Sequence, residues 1–243
     1  MERRLEHGGI IPLYHQLKEI LQENIESGAW RPGDLIPSEN QLMRVYGVSR
    51  NTAKKALDDL VQEGALFRVQ GKGTFVAKPK LEQSLSGFYS FSRVMRERGI
   101  PARDIILSVE TEEVRASVAR RLSIDPGEPV IALRRLRCMQ EEPIIFETSH
   151  IPQRLAPRLS AAGLHDRSLY DLLQADYGIV VAKAKESLEP VLVRDYESRY
   201  LHVRAGCPAL LLDRVAYDHR GTPVEFCRSI VRGDRCRYVT ELF

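Results

Sequence analysis

The chain has 243 residues, 43% of them hydrophobic and 28% charged, with one Trp and a formal net charge of +3. That length suffices for two domains with a core each, and the composition is that of an ordinary globular protein. No apolar run approaches the ~18 residues of a membrane span, and the opening MERRLEHGG lacks the apolar stretch of a secretory signal, so a cytoplasmic protein is expected.

In chain order, Pro12 opens a helix whose Leu13, Leu17, Ile20, Leu21 and Ile25 share one face, ending near Ser27-Gly28. Ser38 with Gln41 three residues on is a capping box for a short second helix, expected to turn Leu42, Val45 and Tyr46 inward and to stop at Gly47. Ser49 caps a third helix in which Ala53, Ala56, Leu57, Leu60 and Val61 form the buried stripe. LFRVQ (66–70) and TFVAK (74–78) then straddle Gly71-Lys72-Gly73 as a two-stranded wing. Pro79 breaks that pattern, giving a division into a first domain at 1–77, a linker at 78–87 and a second domain at 88–243.

The second domain reads as helix at 90–99, strands at 129–139 and 143–152, helix at 168–178, strand at 179–193 and helix at 194–203. Three closing strands follow at 209–218, 223–231 and 236–243. Short turns between adjacent strands predict an antiparallel sheet, hence an α+β domain with its helices on one side.

Charge points to a partner for the first domain. Residues 40–57 carry Arg44, Arg50, Lys54 and Lys55 without an acid, and residues 64–81 carry Arg68, Lys72, Lys78 and Lys80 without one. A helix that reads double-stranded DNA needs small polar and basic residues in its first turn, where side chains reach base edges and the N-terminus meets phosphate. Ser49, Arg50, Asn51, Thr52 and Lys54 meet that need, Arg50 as a fork for guanine and Asn51 as a partner for adenine. Lys72, at the wing tip between two glycines, supplies a second basic element aimed at the same ligand. Ser38 and Asn40, at the start of the second helix, complete the expected DNA-facing set.

The segments PGDLIPSE, YGVSRNT, AL..L..EG and GKGTFVA occur in order at family spacing, and residues 10–77 resemble the winged helix-turn-helix domain of GntR-type transcription regulators. The resemblance implies that Arg50, Thr52 and Lys54 contact DNA and that Gly71 enters the minor groove. Asn40 and Lys54 stand where the family usually has arginine, and lysine keeps the charge but loses the bidentate fork, so an operator sequence is not carried over.

In the second domain, strand alternation places Ile131, Leu133, Arg135 and Arg137 on one face, so two arginines continue an apolar row. A buried guanidinium needs a counter-charge, which an anionic ligand or an internal ion pair with Glu147 or Glu225 would supply. SFSRVM, RRLR, PIIFETSHIP, SLYDLL and GTPVEFCRSIVRGDR resemble the UTRA effector domain of the HutC branch, whose fold is similar to chorismate lyase. That resemblance implies a small anionic effector, a sugar phosphate being favoured. Ser92, Arg135, Arg137, Ser168 and Tyr170 would hold the phosphate, with Glu147 and Glu225 on hydroxyl or amide groups and Ser90 a further effector-binding residue. Val231 stands where amino-sugar-phosphate sensors have tyrosine.

The sequence thus leads to a homodimeric repressor on a palindromic operator, with no cofactor, no metal site and no membrane partner. Cys138, Cys207, Cys227 and Cys236 show no zinc spacing. An enzyme acting on an anionic metabolite is the alternative, but His15 and His150 have no nucleophile or acid in register, and no catalytic residue is assigned.

Overall fold

The computed structural model describes residues 5–6, 10–78, 80–84, 91–165 and 167–241, and it divides into two compact units, Met1–Lys80 and Leu81–Phe243.

In the first unit, Pro12 holds the N-cap position of α1 (Leu13–Glu26) at φ −57°, the value its ring imposes. The capping box forms at α2 (Glu39–Tyr46): the Gln41 backbone N–H donates to Ser38 Oγ and the Ser38 N–H donates to Gln41 Oε1 at 2.8 Å. Gly47 ends α2 in the left-handed region at φ 65°. Ser49 caps α3 (Arg50–Gln62), its Oγ accepting from the Thr52 N–H at 3.2 Å. The core joins Leu17 and Leu21 of α1, Leu42 of α2, and Ala53, Ala56, Leu57 and Leu60 of α3. Val45 does not point inward as expected. It is 68% exposed, because Leu42, Met43 and Tyr46 set the packed stripe and Val45 falls outside it.

Strands β1 (Leu66–Val69) and β2 (Gly73–Val76) form the antiparallel wing, closing at Val69 opposite Gly73. The stretch before α2 runs along β2 as a third backbone partner: the Ile36 N–H donates to the Thr74 carbonyl and the Val76 N–H to the Asp34 carbonyl, both at 2.9 Å. The wing is therefore fastened to the entry of the helix-turn-helix.

The second unit holds β3 (Leu81–Ser84), α4 (Phe91–Glu97), β4 (Ala102–Glu113), α5 (Ala116–Leu122), β5 (Pro129–Met139) and β6 (Glu142–Pro152). There follow α6 (Leu169–Tyr177), β7 (Val181–Leu192), α7 (Asp195–Leu201), β8 (Pro208–Asp218), β9 (Pro223–Arg232) and β10 (Cys236–Val239). Six strands make one antiparallel sheet in the order β4-β5-β6-β9-β8-β7. β10 is not part of it: it pairs in parallel with β3, Cys236 opposite Leu81, so residues 81–84 are strand within the stretch expected as linker.

Helices cover both sides of the sheet, not one. Ile131, Leu133 and Ile151 pack against Leu169, Leu172 and Leu173 of α6, while Ile145, Leu212 and Val231 on the same face pack against Phe91 and Met95 of α4. Val130, Val215 and Phe226 on the opposite face pack against Ala119 and Leu122 of α5, and Ile230 and Ala209 against Leu201 of α7. Strands buried on both faces lose the apolar-polar alternation that marks a half-solvated sheet. Among the described residues no helix is long and apolar enough to cross a membrane.

Candidate nucleic-acid interface and buried cavity

The first turn of α3 projects Arg50, Asn51 and Lys54 into solvent, with Ser49 exposed at the cap and Thr52 half-buried, its Oγ1 2.8 Å from Ser49 Oγ. Lys55 is turned the other way, its Nζ 3.8 Å from the centre of the Tyr14 ring, so this cation belongs to the α1 packing. At the wing tip Gly71 has φ 75°, which the turn requires, and a Cβ built there would meet nothing within 4 Å. Its open surroundings leave space for a close-approaching backbone, and Lys72 beside it is exposed. Ser38, Asn40, Arg50 and Lys72 border one cleft of about 340 Å³, which brings the starts of α2 and α3 and the wing together. One acid in that cleft, Glu39, escaped the sequence reading. Its carboxylate lies 3.5 Å from Arg50 Nε and 3.7 Å from Arg68 Nη2, while Arg68 Nη1 donates to Asp58 Oδ1 at 2.5 Å.

On the sheet face beneath α4 and α6, β5 places Arg135 and Arg137 opposite Glu147 and Ile145 of β6, and β6 in turn places Glu147 opposite Ser229 of β9. Arg135, 2% exposed, donates from Nε to Glu147 Oε1 at 2.5 Å and from Nη1 to Asp104 Oδ2 at 3.1 Å. Arg137 donates from Nε and Nη2 to the two Glu147 oxygens at 2.8 and 3.0 Å. The internal ion pair is thus made with Glu147 and not with Glu225, which instead accepts from Tyr170 Oη at 2.6 Å. Arg137 Nη1 is buried with no hydrogen-bond partner among the described residues; Asp104 Oδ2 lies 4.0 Å away.

Burial works against the Glu147 charge, but Arg135 and Arg137 more than offset it and hold the carboxyl down at about 2. Burial first, then Glu225, raises Tyr170 well above its ordinary value and keeps it a donor. Burial and the Glu147 and Glu225 charges push the Cys227 thiol up to about 12, so it is no thiolate at neutral pH.

Arg135, Arg137, Glu147, Ser168, Tyr170 and Glu225 all line this cavity, of about 40 Å³. Ser92 does not. It lines a cleft of about 750 Å³ that shares Phe91 and Ser168 with the cavity. Ser90 lies outside the described residues. Sequence reasoning missed Asp104, Arg214 and Cys227: Asp104 arrives on β4, a strand whose sequence shows no alternation, and Arg214 on β8, whose register only the sheet reveals, whereas Cys227 follows Glu225 by two on β9, a spacing that could have placed it on the same face. No group of three or more His, Cys, Asp or Glu suited to a metal occurs among the described residues.

Residues 13–76 match the family described as bacterial regulatory proteins, gntR family, and residues 97–237 match the UTRA domain. The chain is 35% identical over 229 residues to the HTH-type transcriptional repressor NagR of Bacillus subtilis (strain 168), covering 94% of each chain. It is 31% identical over 229 residues to the HTH-type transcriptional repressor PhnF of Mycolicibacterium smegmatis, covering 93% of this chain and 91% of that one. The crystal structure of PhnF from Mycobacterium smegmatis matches with a TM-score of 0.63 at 27% identity, covering 96% of this chain and 99% of that chain.

A winged helix-turn-helix followed by a cavity-bearing antiparallel sheet defines a DNA-binding transcription regulator with a separate second domain. The chain belongs to the GntR family of bacterial regulatory proteins, in the HutC branch that carries a UTRA domain.

Proposed function

We propose that this regulator is a cytoplasmic repressor that binds a palindromic operator as a homodimer and changes its grip when a small anionic effector, a sugar phosphate by preference, enters the second domain. The repressor reading follows NagR and PhnF, which are transcriptional repressors. One module offers few base contacts, and two-fold pairing doubles them on a symmetric site.

The observation that carries the effector reading is Arg137 Nη1, which has no hydrogen-bond partner among the described residues and lies beside Arg135 in a buried cavity, since leaving a buried guanidinium donor unbonded is costly and phosphate oxygen would satisfy it. Glu147 and Glu225 suit hydroxyl donors, while Val231 presents an apolar wall. At about 40 Å³ the cavity holds little more than one water, whereas small-ligand pockets are roughly 300 Å³ or larger. An effector therefore has to move the Phe91–Ser168 wall and join the cavity to the wider cleft beside it.

Fluorescence anisotropy with duplex from the protein's own upstream region tests the proposal, titrating sugar phosphates against the matching free sugars. A phosphorylated ligand is expected to shift the operator Kd and the free sugar to leave it in place. If no phosphorylated sugar alters either operator affinity or melting temperature, the effector assignment fails.

A further inference from the structure

The cleft between α2, α3 and the wing faces the expected position of a polyanion, yet it contains a carboxylate. Glu39 is the first residue of α2, and a negative charge near phosphate opposes binding, so its position asks for a compensating role. Its contacts supply one. Glu39 Oε2 lies 3.5 Å from Nε of Arg50, the first residue of α3, and Oε1 lies 3.7 Å from Nη2 of Arg68 on β1. Asp58 of α3 holds the other Arg68 amino group. One carboxylate thus ties together the three elements that border the cleft.

The Arg50 side chain is 72% exposed and that of Glu39 26%, so the Nε edge of the guanidinium is turned to the protein and its far edge to solvent. A free arginine of that exposure samples many rotamers, and ordering it on a base costs entropy that a pre-set geometry avoids. With Nε facing the Glu39 carboxylate at 3.5 Å, Nη1 and Nη2 are left as the two parallel donors that match guanine O6 and N7.

We propose that Glu39 is a positioning residue for base readout, fixing Arg50 by its Nε edge so that its two terminal amino groups read one guanine. The proposal rests on the reading of α3 as the base-contacting helix. A carboxylate in the first turn of α2 also favours the helix dipole, a role that would act on stability and on all DNA sequences alike.

The two roles separate in a binding experiment on the full chain. A preferred duplex is selected from a randomised pool with the wild-type protein, and Kd is measured for that duplex, each single-base change in it and a scrambled duplex. R50A is expected to erase preference at one base pair; a wild type without preference, or R50A with every preference intact, would overturn the reading of α3 and the Glu39 proposal together. Given the R50A result, E39Q is expected to cut discrimination about tenfold at the same base pair, within the range one bidentate contact supplies. Other positions should stay within about twofold, and scrambled DNA should bind as tightly as before or tighter, because a repelling charge is gone. In the double variant the E39Q effect on discrimination should vanish, since its target is absent. Equal weakening on every duplex, or an E39Q effect that adds in full to that of R50A, overturns the positioning role while leaving α3 as the reading helix.

Discussion

Glu147 decides the charge balance of the buried cluster on β5 and β6, because two buried guanidiniums converge on its two oxygens. Removing the Glu147 charge leaves two buried guanidiniums with Asp104 as their remaining carboxylate neighbour, and breaking a buried pair in this way costs about 3–5 kcal/mol. E147Q is therefore expected to lose stability of that order in denaturant unfolding at pH 7. The pH dependence has a definite sign. The folded carboxyl is held down at about 2, below its unfolded value of about 4.3, so its contribution is complete above the unfolded value and disappears as pH falls toward 2. Wild type should lose stability across that window more steeply than E147Q, and parallel pH profiles for the two proteins would contradict the assignment. The alternation of β5 made Arg135 and Arg137 legible as a pair on one face, and Glu147 as a possible counter-ion. Asp104 was not legible: β4 is an edge strand of mixed burial, and nothing in ARDIILSVETEE marks which residue meets a guanidinium three-dimensionally adjacent on β5.

At the scale of elements, the proposed DNA binding divides between α3 and the wing. S49A removes the hydroxyl that accepts from the Thr52 N–H, which should cost about 1 kcal/mol of stability and fray the turn carrying Arg50 and Asn51. Thermal melting checks the first effect, and weaker binding to the preferred duplex the second. K72A is expected to weaken binding to matched and scrambled duplexes alike and to reduce the magnitude of the salt slope by about 0.9, as one phosphate contact fewer requires. A loss confined to the matched duplex would place Lys72 on a base instead. The capped helices and the glycine wing were legible because their signals are local: Ser38 with Gln41, Ser49, Gly47, and a turn that needs positive φ. The parallel pairing of β3 with β10 joins residues about 155 positions apart, as Glu82 faces Arg237, and no short window of sequence carries that information. The same is true of helix placement: α5 and α7 are seven residues each, too short for a periodic stripe to show which sheet face they cover.

For the whole molecule, the proposed response to an effector is a statement about coupling between two sites, and coupling is reciprocal. An effector that binds the DNA-competent and DNA-incompetent arrangements equally shifts nothing, however tightly it binds. If a sugar phosphate lowers operator affinity by a given factor, saturating operator must lower the affinity for that sugar phosphate by the same factor. Isothermal titration of the ligand into free protein and into the protein–operator complex measures the second factor, and anisotropy measures the first. Typical couplings of about 5–150-fold lie well within reach of both. R137A is expected to abolish both factors together while leaving effector-free operator affinity intact, since Arg137 belongs to the second unit and the cleft bordered by Arg50 and Lys72 belongs to the first. A ligand that alters DNA binding but whose own affinity ignores the operator would have to act by competing for DNA or by altering the solution, and the cavity around Arg135 and Arg137 would then not be the control site.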